Sequence, residues 1–168
     1  NEYLEPEVRY DSVAWLARFP NLVISRTFSK IYGLAGLRVG YALAHPDVAD
    51  LMNRVRQPFN VGSLGLAAAE AALADDDFIR RSFELNSLGM KQLVSGFERL
   101  GIDYIPSYGN FVTFVAGDAP AVNDRLLREG IIVRPIGGYG MPKHLRVSIG
   151  LEHENARFLA ALERALAT

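Results

Sequence analysis

The sequence contains no cysteine. That single absence excludes a disulfide framework, a thiolate zinc site and a cysteine nucleophile. An excess of charge of either sign is also missing: 18 Lys and Arg stand against 19 Asp and Glu, a net charge of −1. Such a balance offers no electrostatic case for nucleic acid or for an acidic membrane surface. No apolar run approaches the roughly 18 to 20 residues that span a bilayer, and no signal-peptide pattern opens the chain. A cytoplasmic location is therefore expected. The histidines are few (His45, His144 and His153) and none has metal-ligand spacing with another, so no metal site is expected. Walker loop, G-x-G-x-x-G fingerprint and G-x-S-x-G elbow are all absent. So is an initiator methionine: the chain opens Asn1-Glu2-Tyr3-Leu4-Glu5-Pro6 and reads as the C-terminal part of something longer.

What is present is ordinary globular material. Hydrophobic residues make up 49% and charged residues 22% of 168 residues, enough for a proper core. Ser12 to Phe19 reads as a short helix with Val13, Leu16 and Ala17 inward, and Leu22 to Phe28 as a buried strand. Val39 to Ala44 is a second strand. Pro46 suits the first turn of a helix, with Val48, Leu51, Met52 and Val55 in an apolar stripe. Ser63 is a candidate N-cap for an alanine-rich helix through Leu73. Asp75-Asp76-Asp77 opens a long helix whose Ile79, Phe83, Met90, Leu93, Val94, Phe97 and Leu100 share a face, closed by Gly101-Ile102.

From there the pattern changes to short strands, at Ile102–Ile105, Phe111–Val115, Ile131–Val133 and Leu145–Ile149. Helices are expected at Ala119–Glu129 and Glu152–Leu166. This run reads as a compact α+β lobe with its own core, whereas the first sixty residues read as α/β material. There are no internal repeats.

The densest chemistry lies in Ser25-Arg26-Thr27-Phe28-Ser29-Lys30, followed by Gly33, Gly36 and Arg38. Two hydroxyls, a lysine and an arginine surround a glycine-bearing turn that directly follows a strand. A lysine enclosed there loses proton affinity by desolvation and by the nearby arginine, which favours attack on an aldehyde. Arginine's fork and two hydroxyls suit phosphate oxygens. A plain surface lysine at a strand end is the competing reading, and on position alone both stay open. Arg134 and Arg146 flank a loop with three glycines, where ordinary surface salt bridges are the alternative. Asn110 is equally suited to capping a turn. Tyr32 and Tyr139 sit in glycine-containing segments and could line a pocket or simply pack.

The segment from Ser25 to Tyr41 resembles the lysine segment of class I/II pyridoxal-phosphate aminotransferases of fold type I, and within them the histidinol-phosphate aminotransferase branch. Asn1-Glu2-Tyr3 resembles the end of that family's Asp-Glu-Ala-Tyr-x-Glu-Phe motif. Pro106-Ser107-Tyr108-Gly109-Asn110-Phe111 and Leu145-Arg146-Val147-Ser148-Ile149-Gly150 resemble further family segments, in the expected order. The resemblance implies an aspartate-aminotransferase-like α/β fold, with residues 1–72 the C-terminal part of the large cofactor-binding domain and 73–168 the small α+β domain. It implies pyridoxal 5′-phosphate as cofactor, small amino and keto substrates, and a homodimer for the whole protein. It assigns Lys30 as the catalytic, cofactor-attaching amine. Arg38, Ser29 and Thr27 become the phosphate ligands, and Arg146, Arg134 and Asn110 the substrate contacts. The family's aspartate partner to the pyridine nitrogen, and a tyrosine, would fall just before Asn1, so the chain by itself is expected to bind cofactor poorly and to be inactive. Alternatives are another aminotransferase, a phospho-amino-acid decarboxylase of the same fold, or a non-catalytic effector-binding module.

Overall fold

Asp75 sets the start of the longest element. In the computed structural model, which describes residues 1–167, the Asp75 carboxylate accepts from the Phe78 amide at 2.9 Å. It thereby caps the N-terminal end of a helix running Asp76–Leu100. The chain divides within this helix into two compact units, Asn1–Ser82 and Phe83–Thr168.

The first unit holds strands β1 (Val23–Thr27) and β2 (Gly40–Ala44) and helices α1 (Pro46–Val55) and α2 (Ser63–Leu73). The Asp76–Leu100 helix is α3. β1 and β2 pair antiparallel, Val23 opposite Ala44 and Thr27 opposite Gly40. Fully buried apolar residues packed on one another are few: Phe28, Val39 and Ala69, with Tyr32, Leu34, Val61 and Ala72 against them. β1 was expected to be buried, yet no residue of it is; its side chains alternate between exposed and half-buried. The reason is topological, since a two-stranded ribbon covers little of its own surface. The Ser12–Phe19 helix is reduced to a 3₁₀ turn at Ala14–Ala17, and of its three expected inward residues only Leu16 is partly covered. The stripe on α1 forms as a helix face, but Leu51, Met52 and Val55 on it are exposed. Ser63 is the first helical residue of α2, not its cap, a place taken by Gly62.

The second unit builds a real core. It contains β3 (Tyr104–Ile105), β4 (Phe111–Val115), α4 (Ala119–Arg128), β5 (Arg134–Pro135), β6 (His144–Ser148) and α5 (Glu152–Leu166), with an antiparallel sheet in the order β3-β4-β6-β5. Strand alternation sends Val112, Phe114, Leu145 and Val147 into one face. There they meet Leu93 and Phe97 of α3, Val122 and Leu126 of α4, and Phe158, Leu159 and Leu162 of α5. Phe97 stacks on Phe114 at 5.0 Å and meets Phe158 edge-on at 6.2 Å. Burying each such ring contributes about 1.5 to 3 kcal/mol. Gly96 lets α3 and α5 approach: a Cβ there would lie 2.5 Å from Leu159. Asn155, only 2% exposed, is satisfied by Gln92 and by both backbone groups of Gly150.

One strand is displaced from its expected place. Ile131–Val133 does not join the sheet; β5 begins at Arg134. The Ile131 amide is spent on the Leu126 carbonyl, closing the end of α4, and Val133 drops into the core. The ladder with β6 can start only after them.

Candidate active site

Lys30 stands on a turn fixed at both sides by buried anchors. Phe28 and Ile31 are each 3% exposed, while Lys30 between them is exposed. The turn closes through the Gly33 amide to the Lys30 carbonyl and the Leu34 amide to the Phe28 carbonyl, both 2.9 Å. Gly33 takes a left-handed φ of +70°, where a Cβ would also press on the Phe78 ring. The enclosure expected of Lys30 is thus not found in this unit; its backbone is held but its amine is open. Among the described residues that amine has no ion pair and no hydrogen bond.

The expected phosphate ligands do gather. Thr27 Oγ1 accepts from the Ser29 amide at 3.1 Å, ordering the hydroxyls around the strand end. Arg38 reaches back across the loop, donating to the Ala35 carbonyl at 2.7 Å and, at a long 3.4 Å, to Ser29 Oγ. Arg38 holds a left-handed φ of 54°, a conformation that costs a non-glycine residue energy and recurs at functional sites. Among the described residues no carboxylate pairs with it, so the guanidinium has unused donors. Thr27, Ser29, Lys30 and Arg38 therefore form one cationic, hydroxyl-rich patch within the first unit, whose donor set fits a phosphate group beside an amine.

Arg26, one strand position away, is engaged differently. It donates to Glu2 at 3.2 Å and to Ser12 Oγ at 2.9 Å, tying the N-terminal segment to β1. The Tyr32 hydroxyl is pushed above the usual tyrosine range, first by burial and then by Tyr41. It remains a neutral donor at physiological pH.

The second unit carries the other predicted residues. Arg134 and Arg146 face each other directly across the β5–β6 pair, on the sheet face opposite the core. Neither makes an ion pair among the described residues. The Arg146 guanidinium lies 4.5 Å from the centroid of the Phe111 ring, and Arg134 donates to the Tyr139 hydroxyl at 3.1 Å. Asn110 immediately precedes β4, and its carbonyl accepts from the Ile149 amide at 3.0 Å. The buried Asn86 of α3 steadies the same turn by donating to the Gly109 carbonyl at 3.2 Å. Reading the sequence missed the aromatic contacts of both arginines. The strand period held the signal for one of them, since Phe111 and Thr113 share a face and Thr113 is opposite Arg146. Two open clefts, one lined by Ile132, His153 and Arg157 and the other by Tyr41, Met52 and Asn53, include no predicted site residue.

Comparison with known proteins bears on the family and the fold. The family model "Aminotransferase class I and II" matches residues 3–162. Histidinol-phosphate aminotransferase 1 of Dechloromonas aromatica (strain RCB) is 64% identical over 166 residues, covering 99% of this chain and 46% of that protein. Among solved structures, histidinol-phosphate aminotransferase from Sinorhizobium meliloti, in complex with pyridoxal-5′-phosphate, superposes with a TM-score of 0.81 at 34% identity. That match covers 88% of this chain and 42% of the other. L-threonine-O-3-phosphate decarboxylase from Porphyromonas gingivalis gives 0.82 at 25% identity, over 92% and 50%. The α/β fold is thus the one expected, and the chain spans about half the length of the proteins it matches.

Proposed function

We propose that this chain, which belongs to the aminotransferase class I and II family, is part of a histidinol-phosphate aminotransferase. The whole enzyme would move the amino group between L-histidinol phosphate and 2-oxoglutarate, giving imidazole-acetol phosphate and L-glutamate. Residues 1–72 are read as part of its large cofactor-binding domain and 73–168 as its small domain. A cytoplasmic homodimer acting on small amino and keto substrates is the state proposed for the complete protein. One observation carries the reading: Lys30 follows Thr27 and Ser29 on a turn locked by buried Phe28 and Ile31, and Arg38 reaches across the same loop to Ser29 Oγ.

Pyridoxal 5′-phosphate fits those donors, and when bound it supplies an aldehyde for amine exchange and a conjugated ring that acts as an electron sink. Lys30 would hold it through Nζ. Arg38, Ser29 and Thr27 would hold its phosphate, the guanidinium supplying charge and the hydroxyls direction. Once a substrate amine takes its place, the released Lys30 Nζ would take the proton from the substrate carbon and later return it. A rigid turn matters here, because the same nitrogen must reach both the donor and the acceptor of that proton. Arg146 and Arg134 would bind the anionic end of the substrate, and Asn110 would orient what lies between. With no carboxylate partner among the described residues, both guanidiniums have donors left for the ligand.

The test is Lys30→Ala in the full-length protein. The variant should lose the lysine-imine absorbance band at about 410 to 430 nm and all transamination; an unchanged band or retained transamination would refute the role. A second reading, a phospho-amino-acid decarboxylase, draws on the likeness to the Porphyromonas gingivalis enzyme. Its arginine pair would serve a phosphorylated amino acid equally well. Release of carbon dioxide from phosphothreonine, with no amino transfer to 2-oxoglutarate, would favour it.

A further inference from the structure

We infer that Phe111 and Tyr139 are positioning residues that hold the Arg134–Arg146 pair close together and open to one dianionic group. The inference rests on the reading of that pair as the substrate's anion site. Like charges set directly opposite on an antiparallel pair destabilise the sheet, so two facing arginines need an explanation. Some arginines of both units are met by a carboxylate: Arg54 has Asp50, Arg99 has Glu163, Arg128 has Asp124. Arg134 and Arg146 have none among the described residues. Aromatic groups stand in instead.

The two supports differ in kind. Phe111 lies two residues along β4 from Thr113, the residue opposite Arg146. It offers its ring face at 4.5 Å, well within the range of cation–π attraction. Tyr139 sits at the end of the 3₁₀ turn Gly137–Tyr139, its amide bonded to the carbonyl of buried Ile136 at 3.0 Å. Its hydroxyl accepts from Arg134 at 3.1 Å, with the guanidinium 5.9 Å from its ring centroid. Packing does not account for either placement. Tyr139 is 69% exposed, and Phe111 is on the sheet face away from the core. The Phe111 ring face attracts the Arg146 guanidinium without occupying its in-plane N–H donors, and the Tyr139 hydroxyl takes one donor of Arg134 and leaves the others. A carboxylate would occupy those donors and offset the charge. Two cations held this way, directly opposed, match a phosphate monoester dianion better than a single carboxylate.

The experiment titrates inorganic phosphate into the 168-residue chain, following the arginine side-chain N–H signals of Arg134 and Arg146 by NMR. The unaltered chain should saturate. Phe111→Leu should weaken binding about 5- to 20-fold, and Phe111→Tyr, which keeps the ring face, should restore it to within about twofold. Tyr139→Phe should cost about 2- to 4-fold and Tyr139→Leu more. A dispersed amide spectrum confirms folding, and the exposed Tyr139 variants answer the question if Phe111→Leu does not fold. Wild-type affinity in both leucine variants, with binding lost in Arg146→Gln, would overturn the inference and leave the anion site standing. No saturation in the unaltered chain, or unchanged binding in Arg146→Gln, would overturn the anion-site reading itself.

Discussion

The two units differ in how far they close on themselves. Residues 83–168 bury a continuous cluster in which Leu93, Phe97, Phe114, Leu126, Leu145 and Leu162 are wholly covered by sheet and helices of the same unit. In residues 1–82 the corresponding cluster has Phe28, Val39 and Ala69 at its centre, while Val55, Phe59 and Leu64 are 82%, 98% and 81% exposed. Both units carry site residues, however. Chemistry and stability are therefore distributed differently: the amine and phosphate donors sit on the thin unit, the arginine pair on the thick one. A rigid turn such as that of Lys30 needs only two anchors, Phe28 and Ile31. It can be well formed locally even where little apolar surface is covered.

The sharpest way to break this contrast is a pair of core truncations followed by denaturant unfolding. Phe97→Ala should cost about 3 to 5 kcal/mol in the unfolding of the second unit, because its ring touches Tyr104, Phe114 and Phe158. Gly96→Val should come next at about 1 to 3 kcal/mol, as the new side chain collides with Leu159. Phe28→Ala in the first unit should cost less, about 1 to 2 kcal/mol, since fewer buried neighbours surround it. Equal costs for Phe28→Ala and Phe97→Ala would dissolve the distinction.

The smallest effect is electrostatic. Glu129 pairs with Arg164 on the surface of the second unit. The hydrogen bond from Arg164 holds the Glu129 carboxyl below its ordinary range. A depressed carboxylate contributes stability above its unfolded-state pKa and loses it as pH falls through the folded-state value. Glu129→Gln should flatten that acid limb and leave stability near neutral pH almost unchanged, as exposed pairs are worth little. An unchanged acid limb would remove the pair from the account.

Local signals were readable and non-local ones were not. Asp75, Gly101 and the α5 boundaries followed from capping and helical period, which depend on neighbours in sequence. The lysine turn was legible because strand, hydroxyls, glycine and arginine are close in sequence. β5 was misplaced because the end of α4 competes for the Ile131 amide, a conflict invisible to strand propensity. The burial of β1 was overestimated because burial depends on which strands flank it. The facing of Arg134 and Arg146 depends on strand register, twelve positions apart in the chain. No spacing rule announces it.

On the proposed function, Lys30 and not another lysine carries the cofactor in the complete protein. Borohydride reduction of the full-length protein loaded with pyridoxal 5′-phosphate, followed by peptide mapping, tests it directly. The cofactor's mass should appear on the peptide containing Lys30, with the peptides of Lys91 and Lys143 unmodified. Cofactor fixed on any other lysine, with Lys30 unmodified, would contradict it.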